Sequence, residues 1–152
     1  MHVLVTGMSG TGKSTVLAEL ARRGHRTVDL DDPGWSDEVP LDDGGVEQLW
    51  REDRVAELLA AHRDGLLVVA GCARNQVRFA FDAVVLLSVP VDVLLRRLDA
   101  RGGFGAAPAE RERVLADLAE VEPLLRAVAT VEVDTDRPVA GVADAVEAVA
   151  AR

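Results

Sequence analysis

Eight residues near the start of the chain constrain it more than any others: Gly7-Met8-Ser9-Gly10-Thr11-Gly12-Lys13-Ser14. Read as glycine, any four residues, then Gly-Lys-Ser, they satisfy the Walker A phosphate-binding pattern. That pattern functions only between a strand and a helix. Both flanks conform. The β-branched apolar run His2-Val3-Leu4-Val5-Thr6 reads as a buried first strand. Residues 15–24 carry apolar side chains at 16, 17, 20 and 21 and end in Gly24, which reads as a helix with its stop signal. The chemistry of the pattern follows from its residue types. Gly7, Gly10 and Gly12 free the backbone and leave room for phosphate oxygens against it. The loop's N–H groups then converge on an anion, backed by the positive end of the helix dipole. Lys13 is placed to reach the β- and γ-phosphates and the Ser14 hydroxyl to ligate Mg²⁺. Gly7, Ser9, Gly10, Thr11, Gly12, Lys13, Ser14 and Thr15 are the expected nucleotide contacts. Among seventeen basic residues, Lys13 is the single lysine, and it stands where a compact ammonium is needed.

A chain of 152 residues is expected to form one domain with a core of its own. It has no charged-then-apolar leader and no run of about 18 apolar residues, so a cytoplasmic location is expected. One cysteine, Cys72, excludes an internal disulfide and fits a reducing compartment. The net charge of −9 argues against general binding to nucleic acid or membranes. An anionic ligand must therefore be held by a local cluster of positive groups.

The remainder alternates strand and helix. Residues 25–30 read as the second strand, ending in Asp29-Leu30-Asp31-Asp32-Pro33-Gly34. Acidic groups at that end of an open α/β sheet lie on the ligand-binding rim. Alternation places Asp29 and Asp31 on one face, able to share a metal-bound water or an acceptor hydroxyl. Solvated charges in an Asp-Pro-Gly turn are the other reading. Trp35 is either a pocket wall or a loop anchor. Residues 42–62 carry an apolar stripe (Val46, Leu49, Trp50, Val55, Leu58, Leu59) that predicts a helix capped by Asp42 or Asp43 and ended by Asp64-Gly65. Within it, Arg51 and Arg54 are read as members of exposed pairs, Glu47 with Arg51 for example, ahead of a role in holding an acceptor.

Residues 66–70 form an apolar third strand leading to Gly71-Cys72-Ala73-Arg74. Arg74 is either a bidentate anion grip or a surface arginine in a turn. Cys72 reads as an inert half-buried thiol. Residues 82–89 form a fourth strand, opened by a structural Asp82. A helix over 90–101 carries Arg97 and Arg101 on one face and runs into Gly102-Gly103-Phe104-Gly105, read as a mobile flap. A long helix over 108–129 is expected to be kinked or divided at Pro123. A fifth strand over 130–133, a loop over 134–138 and a closing helix over 139–151 complete the chain.

Taken together these features resemble a small P-loop kinase of the adenylate kinase and shikimate kinase group, from end to end. Asp29-Leu30-Asp31 resembles the Asp-x-Asp of shikimate and gluconate kinases, which implies that Asp29 holds Mg²⁺ through water and Asp31 orients the acceptor hydroxyl. Gly71-Cys72-Ala73-Arg74 resembles the Gly-x-x-Arg of nucleoside monophosphate kinases, whose arginine holds the acceptor phosphate. Arg97 and Arg101 resemble lid arginines, and Asp134 to Pro138 resembles the loop that packs on adenine, with Arg137 and Pro138 as its contacts. The chain departs from the group in three places. Ala70 ends the third strand where many nucleotide kinases carry Asp, Cys72 follows Gly71 where shikimate kinases carry a glycine pair, and the lid is very short.

The expectation is a three-layer α/β/α domain with a five-stranded parallel sheet in the order 2-3-1-4-5. Its acceptor region would span about 31–63 and its lid about 101–107. Right-handed crossovers would place the phosphate loop near the sheet's centre. The expected activity is transfer of the γ-phosphoryl of Mg-ATP to a small metabolite or nucleoside monophosphate, by a monomer or homodimer. Lys13 would hold phosphates, Ser14 and Asp29 the metal, Asp31 and Arg74 the acceptor, and Arg97 or Arg101 would close on the transition state. The competing expectation is a nucleotide-binding regulatory ATPase with no small-molecule acceptor.

Overall fold

The apolar strands alternate between two cores, and that alternation explains the layers. The computed structural model describes residues 1–102 and 107–152. In β1 (His2–Thr6), Val3 and Val5 point into one core and Leu4 into the other. The first core is closed by α1 (Lys13–Arg22) and α5 (Val139–Ala150), through Val16, Leu17, Leu20, Val142, Ala143 and Val146. The second is closed by α2 (Glu52–Ala61), through Val55 and Leu58, with Leu30 and Trp50.

Five strands run parallel. From one edge they are β2 (Arg26–Asp29), β5 (Leu67–Ala70), β1, β6 (Ala83–Ser88) and β7 (Val131–Asp134). Counted among the parallel strands alone, the order is 2-3-1-4-5, as expected. The register pairs Val5 with both Ala70 and Val85, so the strand leading into the phosphate loop is held from both sides. Strands this buried read as unbroken apolar runs. Asp82 precedes β6 and accepts the His2 N–H at 2.7 Å, a structural role at the sheet's opposite end.

Two more helices complete the fold. Pro90 caps α3 (Val91–Arg101), which packs Leu94 and Leu98 against Val114 of α4 (Pro108–Val128). Helix α4 continues through Pro123, so the expected division there does not occur. Among the described residues, no helix is long and apolar enough to cross a membrane.

The main correction concerns residues 42–62. Their first half holds β4 (Val46–Trp50), which pairs antiparallel with the preceding β3 (Ser36–Pro40), and only the second half is helical, as α2. The Asp43 carboxylate accepts the Gly45 N–H at 2.9 Å inside the hairpin turn and caps no helix. Helix α2 ends at Ala61, ahead of Asp64-Gly65. Val46, Leu49 and Trp50 have helical spacing, but Asp-Gly at the turn and pairing with β3 decide the outcome. Because residues 46–50 are extended, Glu47 and Arg51 are no longer one helical turn apart, and the predicted pair between them does not form. Arg51 faces Asp37 at 3.8 Å, and Glu47 takes Arg74 at 2.9 Å.

Candidate functional site

The loop between β1 and α1 turns on its glycines. A Cβ on Gly7 would lie 2.6 Å from the Leu87 carbonyl oxygen and 2.8 Å from Thr11 Oγ1, so no side chain fits there. Gly10 has φ +89, and a Cβ on it would lie 2.9 Å from Leu94 Cδ1. The first glycine lets the loop pass over β6, and the second lets it lean on α3. The loop's inner side opens into a cleft of about 760 Å³.

Residues 7–16 line that cleft, together with Asp31, Cys72, Arg97, Arg101, Thr135 and Arg137. The structure thus brings together the predicted phosphate loop, Asp31, both α3 arginines and Arg137. The half-buried Lys13 ammonium donates to the carbonyls of Gly7 at 2.6 Å and Met8 at 3.1 Å. Burial lowers its pKa from the ordinary value, opposed by the negative potential of Cys72, Asp31 and Asp29. Reduced hydration at the cleft wall raises the Asp31 carboxyl, against the pull of Lys13, and Asp29 and Asp32 reinforce the rise. Burial likewise raises the Cys72 thiol, partly offset by Lys13 and by a hydrogen bond from Thr6. A thiol held protonated is a poor nucleophile.

Ser14 Oγ donates to Asp29 Oδ2 at 3.0 Å, and the Asp31 N–H donates to Asp29 Oδ1 at 2.9 Å. The hydroxyl and carboxylate expected at the metal are therefore adjacent, with Asp31 two residues further on. Among the described residues, no group of three or more His, Cys, Asp or Glu side chains is placed to hold a metal ion. A cation at Ser14 and Asp29 would depend on ligand oxygens as well, which is how Mg²⁺ is bound beside phosphates.

Asp29 is hydrogen-bonded to Ser14 but is not among the residues lining the cleft, and three other residues predicted at the site lie elsewhere. Arg74, in a 3₁₀ turn (Arg74–Arg78), is outside the cleft lining and ion-paired with Glu47 at 2.9 Å. Pro138 caps α5 and is not among the residues lining the cleft. Trp35 packs at the second core's margin, with the Arg54 guanidinium 4.4 Å from its ring centroid, and Arg54 also donates to the Gly34 carbonyl at 2.5 Å. Gly102 ends α3 with φ +69. The rest of the predicted flap, Gly103-Phe104-Gly105, lies outside the described residues.

Two sets of residues escape sequence reasoning. Thr135 Oγ1 donates to the Thr11 carbonyl at 2.7 Å, tying the 134–138 loop to the phosphate loop. Arg97 donates from Nη1 to Gly10 O at 3.3 Å, Thr11 O at 3.4 Å and Thr135 Oγ1 at 3.1 Å, and from Nη2 to Thr135 O at 2.7 Å. The Asn75 amide brackets Trp50, accepting its N–H at 3.1 Å and donating to its carbonyl at 2.9 Å, while Gln76 Oε1 accepts from the Ala73 N–H and from Thr6 Oγ1. Polar side chains placed just past an apolar strand are the only local signal for Asn75 and Gln76.

No curated protein matches the sequence. Among solved structures, the chain is similar to a gluconokinase from Sinorhizobium meliloti 1021, with 26% identity and TM-score 0.62, covering 99% of this chain and 91% of that one. A shikimate kinase from Acinetobacter baumannii in complex with shikimate aligns with 20% identity and TM-score 0.59, covering 98% and 90%. Deoxyadenosine kinase from M. mycoides with bound dATP aligns over 100% of both chains, with 13% identity and TM-score 0.60. A family model described as AAA domain matches residues 3–114, from the first strand past the start of α4. Because that match takes in β1, the phosphate loop and most of the sheet, the chain belongs to the AAA domain family, and it carries the fold of the small P-loop kinases.

Proposed function

We propose that this chain is a Mg-ATP-dependent phosphotransferase acting on the hydroxyl or phosphate of a small metabolite. The observation that carries the reading is the convergence of Lys13, Ser14 and Asp31 on one cleft beside the phosphate loop, with Asp29 accepting hydrogen bonds from Ser14 and from the Asp31 N–H. The similar structures named gluconokinase, shikimate kinase and deoxyadenosine kinase support it. In this reading the backbone N–H groups of the loop cradle the phosphates, and Lys13 leaves its loop carbonyls to neutralise β- and γ-oxygens. Ser14 and Asp29 would hold Mg²⁺, which supplies further neutralisation of phosphate charge when bound. Asp31 accepts a hydrogen bond from the acceptor hydroxyl and orients it for in-line attack. Arg101, at the end of α3, contributes guanidinium charge to the same cleft. The work is positioning and electrostatics, carried out in the cytoplasm on a free small molecule, consistent with a net charge of −9.

One observation favours the second reading, a regulatory ATPase: Arg74, the residue expected to grip an acceptor phosphate, is paired with Glu47 outside the cleft. A screen separates the two. ATP consumption is followed with Mg²⁺ in the presence of nucleoside monophosphates, nucleosides, polyols and sugar acids. Stimulation by one class well above basal hydrolysis is the expected result. Saturable ATP binding with no stimulation by any class would favour the ATPase.

A further inference from the structure

We propose that Thr135 is a positioning residue of the phosphate loop, and that Arg97 acts with it as a brace on the loop instead of closing on the transferring group. The proposal rests on the reading of the cleft as a nucleotide site.

A trans peptide is planar, so its C=O and N–H point in opposite directions. The Thr11 carbonyl is held by the Thr135 hydroxyl at 2.7 Å and by Arg97 Nη1 at 3.4 Å. The N–H of the same peptide belongs to Gly12, itself a residue of the cleft lining, and it is fixed pointing away from both. The Gly10 carbonyl is also drawn to Arg97, at 3.3 Å. A phosphate loop binds anions only while its N–H groups converge, and the brace sets their direction before any ligand arrives.

Thr135 is built for this. It is 5% exposed, and its own N–H is taken by the Ser88 carbonyl at 2.9 Å, at the end of β6. Its hydroxyl donates to Thr11 and accepts from Arg97, while its carbonyl accepts Arg97 Nη2 at 2.7 Å. A threonine hydroxyl can donate once and accept as well, so both capacities are in use. Arg97 shares its Nη1 hydrogens among three acceptors and adds a fourth contact through Nη2. Reaching a transferring phosphoryl would break these bonds and release the loop.

The test uses the purified full chain and two probes, ATP and inorganic tripolyphosphate, which reports on the phosphate loop alone. Thr135→Val removes the hydroxyl at constant volume, and Thr135→Ser restores it. The expected result is about tenfold weaker binding of both probes by Thr135→Val, the equivalent of one lost charge-assisted bond, with Thr135→Ser near wild type. Arg97→Lys, which keeps the charge but not the fork, is expected to weaken both probes in the same way and carries the test if Thr135→Val does not fold. Loss of ATP affinity with tripolyphosphate unchanged would overturn the proposal, because Thr135 would then serve only the base side. Unchanged binding of both probes by Arg97→Lys with turnover lost would overturn it too, making Arg97 the transition-state group. Wild-type protein that binds neither probe would instead remove the nucleotide reading itself.

Discussion

Substituting Gly10 by Ala separates what the phosphate loop needs for its fold from what it needs for its ligand. The missing side chain of Gly10 faces α3 and not the cleft: a Cβ there meets Leu94 Cδ1 at 2.9 Å and Leu98 Cδ2 at 3.4 Å. With φ at +89, the substitution also holds an L-residue in the left-handed region, at about 1–2 kcal/mol. Driving a methyl into packed side chains adds about 1–3 kcal/mol. Gly24 is the control, with φ +91 and open space within 4 Å of where its Cβ would sit. It carries the backbone cost alone, and both variants share the same change in unfolded-chain entropy. The melting temperature followed by circular dichroism is expected to fall by roughly 5–15 °C for Gly10→Ala and by a few degrees for Gly24→Ala. Equal losses in the two variants would refute the close contact between the loop and α3.

Three further variants have expected outcomes. Asp31 has its pKa raised above the ordinary 3.8 by desolvation, so ionising it opposes folding: Asp31→Asn should stabilise the chain at neutral pH but not below that value. The same variant should lower turnover by about 10²–10⁴ and remove the acid limb of the pH–rate profile, which otherwise rises through the elevated Asp31 value. Glu147 is held below its ordinary 4.5 by His25 and then Arg23. Its stabilisation is full above that value and is lost as pH falls through the lowered one, so the melting-temperature gap between wild type and Glu147→Gln should close on acidification. Asn75→Ala strips Trp50 of both backbone partners in a buried setting, and urea unfolding should show a loss of about 2–4 kcal/mol.

Much of the fold is legible in the sequence because its determinants are local. β1, the phosphate loop and α1 follow one another without a break, and each apolar strand is buried on both faces. The order of the parallel strands follows from right-handed crossovers between them. The hairpin is not legible, because Val46, Leu49 and Trp50 satisfy a helical period and a strand equally well over so short a stretch. Pairing with β3 settles it, and the Asn75 amide, 25 residues away, then holds the Trp50 backbone. At the site, Lys13, Ser14, Asp29 and Asp31 announce themselves by residue type and position. Arg74 and Arg97 show the limit: sequence displays their charge and spacing but not their partners. For Arg74 that partner is a strand glutamate. For Arg97 it is a threonine 38 residues on, which in turn reaches a loop 124 residues back.

The central claim is that this cleft moves a phosphoryl group from ATP to a small acceptor. Its most direct measurement is transfer of label from ATP labelled in the γ-phosphate, with Mg²⁺ and the acceptor panel, by wild type and by Lys13→Ala at equal folded concentration. The account predicts labelled acceptor from wild type and none from Lys13→Ala, with the variant's circular dichroism unchanged. Labelled acceptor formed at the wild-type rate by Lys13→Ala, or label recovered from wild type only as inorganic phosphate, would contradict it.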